Sequence, residues 1–306
     1  MIVVVAPGQG SQTPGFLEPW LAESALRDHL GALSDAAGID LVAHGTTSDA
    51  DTIRDTKVAQ PLIVAASLMT AAAVLSEGRR SHVDGVAGHS VGEVAAAAIA
   101  GILSETDAMR LVAERGRAMA DAAALETTGM SAVIGGDEAE LLARLAELGL
   151  QPANFNGGGQ IVVAGATDAL AQLAENPVAG TRVIPLQVAG AFHTRYMQPA
   201  VSHLEDFAAG LEKNEPTLPI WTNRDGSRVE SGAHYIDLLV GQVSSPVRWD
   251  LTMESFAAAG VTGIVELAPA GALVGLAKRA LKGVPAVAVK TPDDLAAAID
   301  LIDGNA

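Results

Sequence analysis

Ser90 lies in a segment typical of a catalytic serine at a tight turn between a strand and a helix. The segment Gly88-His89-Ser90-Val91-Gly92 follows a short apolar run and precedes an Ala-rich helical run from Val91 to Ala100. The two glycines let the backbone turn sharply, and the serine Oγ would lie at the positive end of a helix dipole. Ser90 and Glu93 also fit a capping box that only closes the start of a helix. The flanking strand and helix patterns favour the catalytic interpretation.

Arg115 is the second residue whose position suggests chemistry. It lies four residues after Leu111 and four before Met119, on the apolar stripe of a predicted helix. Arginine is rarely buried without a partner. The partner is either a carboxylate of this chain, in an internal salt bridge, or the carboxylate of a ligand held by two parallel hydrogen bonds. Its position in the sequence does not separate these two interpretations.

A nucleophilic serine needs a base, and His193 is the best placed of the seven histidines. It follows Gly190-Ala191-Phe192, where a predicted strand gives way to a helix. His89 is adjacent to Ser90, but neighbouring side chains at such a turn point apart, so it is the poorer base. The remaining histidines are expected at the surface or at helix caps: His29, His44, His82, His203 and His234.

A glycine-rich loop, Pro7-Gly8-Gln9-Gly10-Ser11-Gln12, follows the first predicted strand. It is not a dinucleotide-binding motif, because Thr13 stands where the third glycine belongs and no acidic residue ends a second strand at the ribose position. Such a loop can instead offer backbone N–H groups to an oxyanion. The sequence has no His-Glu-x-x-His motif or clustered ligand set, so no catalytic metal is expected.

Composition narrows the class of protein. The 306 residues are 49% hydrophobic but only 3% aromatic, so the core must consist of Ala, Val, Leu and Ile. The absence of cysteine excludes disulfides, a thiolate nucleophile and cysteine-bound metals, and a cytoplasmic location is expected. The net charge of −17 argues against nonspecific nucleic-acid binding. The longest apolar run, Leu62 to Leu75, is interrupted by Ser67 and Thr70 and is predicted to be a buried helix rather than a membrane span.

Short β-rich runs alternate with helical runs, which predicts an α/β fold with a mostly parallel sheet. Between 127 and 187 the order changes to β-α-β-β-α-β, which is the ferredoxin-like arrangement. We therefore expect a small subdomain at 127–187 inserted into a large subdomain formed by 1–126 and 188–306. Strands are expected at Ile2–Ala6 and Pro219–Asn223, among others. Helices are expected at Pro61–Leu75, Glu138–Leu148 and Arg195–Leu211, among others.

Taken together, these segments resemble the malonyl-CoA:acyl carrier protein transacylase family, the acyltransferases of fatty-acid and polyketide synthesis. Each segment alone is weak, but their joint order and spacing through nearly the whole chain are highly specific. The resemblance is carried by Pro7-Gly8-Gln9-Gly10-Ser11-Gln12, Val58-Ala59-Gln60-Pro61, Gly88-His89-Ser90-Val91-Gly92-Glu93, Glu114-Arg115-Gly116, Asn154-Phe155-Asn156, Gly190-Ala191-Phe192-His193, Gln242 with Pro246-Val247, and Glu266 with Pro269 and Gly271.

The resemblance implies a large subdomain of α/β-hydrolase type and a Ser-His dyad without an acidic third member. Ser90 would be the nucleophile and His193 its base, oriented by the backbone carbonyl of Gln242. Arg115 would bind the malonyl carboxylate. The resemblance implies further site residues: the oxyanion-hole N–H groups of Gln9 and Val91, and the supporting side chains of His89, Asn154, Asn156 and Phe192. In this family a phenylalanine at the position of Phe192 accompanies malonyl, and a serine there accompanies methylmalonyl.

The implied substrate is malonyl-CoA and the implied partner is an acyl carrier protein, with no bound cofactor, nucleic acid or membrane. Acyl carrier proteins are acidic, so docking on this acidic chain needs a local basic patch. That patch could be formed by Lys278, Arg279 and Lys282, with Lys290 and Arg195. The same side chains could also simply face solvent. The enzyme is expected to act as a free-standing monomer. There are two alternatives. One is a serine esterase or thioesterase, which needs an acidic residue between the serine and a late histidine in the sequence. The other is an inactive scaffold that binds a carrier protein.

Overall fold

Two β-sheets frame the molecule, and the structure, a computed structural model, describes residues 1–305. The strands are β1 (Ile2–Ala6), β2 (Gly85–Gly88), β3 (Thr128–Gly135), β4 (Gln151–Gly157), β5 (Gln160–Ala166), β6 (Thr181–Pro185), β7 (Ile220–Trp221), β8 (Arg228–Val229), β9 (Val247–Arg248), β10 (Gly263–Glu266) and β11 (Ala286–Ala288). The helices are α1 (Ser24–Ala37), α2 (Leu41–Thr46), α3 (Thr56–Val74), α4 (Gly92–Ile99), α5 (Glu105–Ala123), α6 (Glu138–Leu148), α7 (Thr167–Glu175), α8 (Gln198–Ala209), α9 (Gly232–Gln242), α10 (Trp249–Ala259), α11 (Ala272–Ala280) and α12 (Leu295–Asp303).

The first sheet has the strand order β11-β10-β1-β2-β7-β8, and only the β7–β8 pair is antiparallel. Strand β1 is buried along its whole length, which explains its continuous apolar sequence. Its alternate residues serve opposite faces: Val4 packs with one hydrophobic cluster, whereas Val3 and Val5 pack with another. This doubly covered parallel sheet, together with the surrounding helices, confirms the predicted α/β fold class.

The second sheet has the order β6-β3-β5-β4-β9, in which β3 to β6 form antiparallel pairs. With α6 and α7 these four strands make the β-α-β-β-α-β arrangement expected from the sequence. Strand β9 comes from outside this unit and pairs in parallel with β4, opposing Asn154 to Val247. The pairing ties the two sheets together. The exact subdomain boundaries at 127 and 187 stay a prediction.

The apolar helix α3 is a central core element. Among residues 1–305 it alone is long and apolar enough to cross a membrane, and 78% of the relevant window is buried inside the protein. The prediction that this helix begins at Pro61 was wrong. It begins at Thr56, because the Asp55 side chain accepts a hydrogen bond from the Lys57 N–H and caps it there. Pro61 lies inside the helix.

The segment predicted as one helix from Arg195 to Leu211 also differs. It starts with a 3₁₀ turn at Arg195–Met197 and continues as α8 from Gln198, with Pro199 in the first turn, where a proline needs no N–H partner. Short elements that the sequence analysis did not predict are α2, β8 and β9. The two-residue strands depend on pairing with neighbours rather than on a pattern of their own.

Candidate active site

The turn between β2 and α4 places Ser90 in a strained backbone conformation. Its φ is +53°, a region that non-glycine residues rarely adopt. The flanking glycines are required by close packing. A Cβ at Gly88 would lie 2.0 Å from the Gly92 carbonyl carbon, and a Cβ at Gly92 would lie 2.2 Å from the Ala6 oxygen. The chain can therefore make this turn only with glycine on both sides of the serine, as a nucleophile elbow requires.

Ser90 and His193 meet at this turn although they are far apart in sequence. The Ser90 Oγ lies 2.7 Å from His193 Nε2, and His193 Nδ1 donates to the backbone oxygen of Gln242 at 2.9 Å. Nε2 is thus free to accept the serine proton. The capping-box alternative was wrong: helix α4 has no side-chain cap, and the Ser90 hydroxyl bonds His193 instead.

The environment of His193 keeps its imidazole neutral. Burial, reinforced by the nearby positive charge of Arg115, lowers the pKa of His193 to about 3. A neutral imidazole is the form that accepts a proton. The partner of Nδ1 is a carbonyl and not a carboxylate, so the acidic third member that the esterase alternative needs is absent from this position.

Arg115 is fully buried on α5 and lines the same cavity as the Ser-His pair. Its Nη1 donates to Gln60 Oε1 at 2.7 Å, its Nη2 donates to Gln242 Oε1 at 2.8 Å, and its Nε has no partner within residues 1–305. No carboxylate in the described part of the chain forms an ion pair with it, which contradicts the internal salt-bridge alternative. Burial lowers the pKa of Arg115 to about 10, so the guanidinium stays charged at neutral pH.

Glu93 is a buried carboxyl group whose charge acts on Arg115, although the two side chains form no ion pair. Burial raises the pKa of Glu93 to about 8, against the opposing effects of the Asn223 N–H and the Arg115 charge. Both of its carboxyl oxygens accept hydrogen bonds, from the Asn223 N–H and from the Gln242 amide, and Glu93 forms no ion pair with Arg115. A ligand carboxylate in the cavity would meet a guanidinium that no carboxylate among residues 1–305 contacts.

The glycine-rich loop after β1 passes directly over the elbow. A Cβ at Gly8 would lie 2.9 Å from His89 Nδ1, so only glycine lets the loop approach this closely. Gln9 and Val91 both line the cavity beside Ser90. Within residues 1–305, the backbone N–H groups of Gln9 and Val91 donate to no protein atom. They are thus available to a ligand oxygen.

The supporting residues predicted from the sequence lie around the same cavity, which has a volume of about 450 Å³. His89 Nε2 lies 2.9 Å from Asn156 Oδ1, and the ring packs edge-on against Trp249, so this histidine is engaged away from Ser90. Phe192 is 93% buried at the cavity wall, and Asn154 lines the cavity as well. The second sheet and α11 complete the walls through Met130, Ala132, Val162, Leu273 and Leu276.

Residues 3–293 match the protein family described as the acyl transferase domain. The chain belongs to the acyl transferase family. A Mycobacterium tuberculosis (strain ATCC 25618 / H37Rv) protein named malonyl CoA-acyl carrier protein transacylase is 53% identical over 299 residues, covering 96% of this chain and 98% of that protein. The Escherichia coli (strain K12) protein of the same name is 35% identical over 304 residues, covering 97% and 98%.

Two solved structures superimpose on this acyl transferase over almost its whole length. The crystal structure of MCAT from Mycobacterium tuberculosis superimposes with a TM-score of 0.95 at 52% identity, covering 98% of this chain and 99% of the other. A second structure shows a type II PKS acyl-carrier protein in complex with its malonyl-transacylase. It gives a TM-score of 0.93 at 31% identity, with coverage of 98% and 99%.

Three polar residues that hold the site of this acyl transferase together were not predicted from the sequence. Gln60 binds Arg115, and the carboxyl group of Glu93 accepts hydrogen bonds from the Asn223 N–H and from the Gln242 amide. Gln60 and Glu93 both stand in motifs that carry the family resemblance, but the sequence assigned Gln60 no role and Glu93 only a possible role in a helix cap. Asn223 ended a predicted strand and gave no signal of its own. Gln60 and Glu93 each interrupt an apolar run, a pattern that marks a polar side chain with a buried partner.

Proposed function

We propose that this acyl transferase moves a malonyl group from malonyl-CoA to the phosphopantetheine thiol of an acyl carrier protein. The observation that carries the proposal is Arg115, a buried and charged guanidinium without a carboxylate partner among residues 1–305, in the same cavity as the Ser90–His193 pair. Relatives that bear the name malonyl CoA-acyl carrier protein transacylase support it. The cytoplasmic location and the monomeric state expected from the sequence stay predictions.

In the first half-reaction, His193 Nε2 takes the Ser90 proton while Oγ attacks the thioester carbonyl carbon of malonyl-CoA. The tetrahedral oxyanion accepts hydrogen bonds from the N–H groups of Gln9 and Val91, each typically contributing ~3–4 kcal/mol to the barrier reduction. The C–S bond then breaks, and the protonated His193 returns the proton to the leaving thiolate. Coenzyme A leaves as a thiol, and a malonyl-serine ester remains.

The second half-reaction repeats these steps in reverse with a different thiol. His193 takes the proton from the phosphopantetheine thiol, whose sulfur attacks the ester carbonyl. The Ser90–malonyl bond breaks, and His193 returns the proton to the serine oxygen. All steps use groups of this chain and its two substrates, so the proposal includes no bound cofactor.

Arg115 explains how malonyl would be selected over acetyl. An acetyl group has no carboxylate, so it would leave the guanidinium buried without its ligand. A site built to hydrogen-bond a polar group of its substrate rejects an analogue that lacks this group by about 10⁴–10⁵-fold. This discrimination is stronger than the one an apolar pocket achieves against a missing methylene. Phe192 would narrow the cavity where an α-methyl group would sit, as the family pattern implies.

Intact-mass measurement after incubation with malonyl-CoA tests the proposal. We expect a stoichiometric malonyl adduct on the wild-type chain, none on Ser90→Ala, and little from acetyl-CoA. Holo carrier protein should discharge the adduct and gain the malonyl group. Release of free malonate and coenzyme A without an adduct would instead support the hydrolase alternative. No reaction with either acyl-CoA would support a different donor or the binding scaffold.

A further inference from the structure

Asn223 lies directly beneath the nucleophile elbow and bonds both sides of it. It follows β7 and is completely buried. Its Oδ1 accepts the Ser90 N–H at 2.7 Å, and its Nδ2 donates to the Gly88 carbonyl oxygen at 2.7 Å. One side chain therefore holds the residue before the turn and the nucleophile itself. Both bonds span more than 130 positions of sequence.

The Asn223 backbone is itself fixed at both ends. Its N–H donates to Glu93 Oε1 at 2.6 Å, and its carbonyl oxygen accepts the Arg248 N–H at 2.8 Å. Glu93 belongs to the first turn of α4, immediately after the elbow. The side chain of Asn223 has little freedom to move because the chain on either side is anchored.

The strained turn needs such an anchor. The left-handed φ of Ser90 costs ~1–3 kcal/mol and persists only where the surroundings enforce it. Helix α4 has no side-chain cap to contribute to this. The bond from the Ser90 N–H to Asn223 Oδ1 also removes that N–H from the oxyanion hole, which leaves the task to Gln9 and Val91.

The same side chain connects the elbow to the residue that orients the base. The Gln242 amide Nε2 lies 3.1 Å from the Ser90 carbonyl oxygen and 3.3 Å from Asn223 Oδ1, and it also bonds Glu93. The Gln242 backbone oxygen holds His193. A shift of Asn223 would thus disturb the nucleophile directly and the base through Gln242.

We propose that Asn223 is a positioning residue that holds Ser90 within reach of the base by clamping the strained elbow. The proposal rests on the proposed role of Ser90 as nucleophile. Asn223 does not line the cavity and would not touch the acyl group. Its removal should slow acylation of Ser90 and leave the binding of malonyl-CoA unchanged.

Asn223→Ala and Asn223→Asp test this through the rate at which a fluorophosphonate labels Ser90. We expect Asn223→Ala to label ~10- to 100-fold more slowly, since a small misplacement of reacting groups costs up to about 10²-fold. The KM for malonyl-CoA should stay within about twofold. Ser67→Ala is the matched control, because Ser67 is equally buried and loses one hydrogen bond, to the Ala268 oxygen. It should label at the wild-type rate.

The aspartate variant gives a readout that a general loss of stability would not produce. When ionised, Asp at this position still accepts the Ser90 N–H but repels the Gly88 carbonyl. When protonated, it donates to that carbonyl as the asparagine does. Burial raises the pKa of such a carboxyl. Glu93, whose carboxyl group accepts the Asn223 N–H, faces the same position, so each rate is divided by the wild-type rate at the same pH. The labelling rate of Asn223→Asp relative to wild type should be several-fold higher at pH 5, where the new carboxyl is protonated, than at pH 9.

Two results would overturn the inference: folded Asn223→Ala labelling within threefold of wild type, or a ratio for Asn223→Asp that is flat with pH. If Asn223→Ala does not fold, the pH dependence of Asn223→Asp decides alone. The fluorophosphonate needs only a reactive serine. Failure of the wild-type chain to transfer malonyl would therefore refute the proposed function without affecting this test.

Discussion

Burial fixes the charge of the ionisable groups around Ser90 before a substrate binds. It lowers the pKa of His193 to about 3 and of Arg115 to about 10, and raises that of Glu93 to about 8. It lowers the pKa of His89 as well. At neutral pH the site therefore holds a neutral base, His193, and a cation, Arg115. This combination suits an anionic acyl group attacked by a serine whose proton must be removed.

The lowered pKa of His193 predicts a pH profile for acylation. An ordinary histidine loses its ability to accept a proton as the pH falls through 6.5, whereas His193 stays neutral down to about 3. We expect the rate at which a fluorophosphonate labels Ser90 to change less than twofold between pH 7.5 and pH 5. Arg115→Ala should move the acid limb to higher pH, since the Arg115 charge is one cause of the shift. An acid limb near 6.5 in the wild-type chain would contradict this explanation.

The carboxylate role of Arg115 predicts a change in substrate preference. Arg115→Ala should reduce kcat/KM for malonyl-CoA by at least about 100-fold, because the paired charge is lost in a desolvated site. The rate with acetyl-CoA should be unchanged or higher. Arg117→Ala is the control on the same helix, since Arg117 is exposed and pairs with Glu114. Unchanged malonyl transfer by Arg115→Ala would rule out the carboxylate assignment.

The proposed nucleophile and base could be predicted from the sequence, and the residues that hold them could not. Ser90 and His193 stand in short motifs whose chemistry is local and readable. Asn223 reaches Ser90 across more than 130 positions, and its two bonds exist only because β7 lies beside β2. A lone asparagine after a strand has no local signature for this role.

The wall of the cavity depends on how α11 begins. Glu266 ends β10 and is completely buried. Its carboxylate accepts the N–H groups of Gly271 at 2.8 Å, Leu273 at 3.0 Å and Val274 at 2.8 Å. It therefore satisfies the free donors at the start of a helix that carries Leu273 and Leu276 to the cavity.

Glu266→Ala should lower the free energy of unfolding by ~2–4 kcal/mol, because three buried N–H groups lose their acceptor. Urea denaturation followed by circular dichroism measures this. Glu254→Ala, at an exposed position of the neighbouring helix α10, should change stability by less than about 0.5 kcal/mol. A loss below about 1 kcal/mol for Glu266→Ala would show that water or a backbone shift replaces the carboxylate.

Helices and strands were predictable wherever a segment is long enough to show a periodic pattern of hydrophobic residues. The helix at Glu138–Leu148 and the strand at Ile2–Ala6 have the predicted bounds. Strand β9 has only two residues and no pattern, and it is a strand because β4 lies next to it. Such elements form because of tertiary contacts, so they cannot be predicted from the local sequence.

The net charge of −17 opposes an acidic carrier protein at long range. A local cation near the cavity can still guide it, because screening at physiological ionic strength limits that repulsion to about 8 Å. Lys278 and Arg279 are exposed in the last turn of α11, and Arg279 also lines the cavity. Lys282 follows them at an exposed position. Because the carrier thiol must enter the cavity, we expect an acidic carrier protein to dock against these charges.

Reversing these two charges separates carrier docking from acyl-CoA binding. Lys278→Glu with Arg279→Glu should raise the KM for holo carrier protein about tenfold at low salt, since complementary charges steer and orient association. The KM for malonyl-CoA should stay within about twofold. Arg110→Glu with Arg117→Glu makes the same change in net charge at exposed positions of α5 and should affect the carrier much less. Equal effects of the α11 variant on both substrates would refute docking, because the patch would then serve the acyl-CoA as much as the protein.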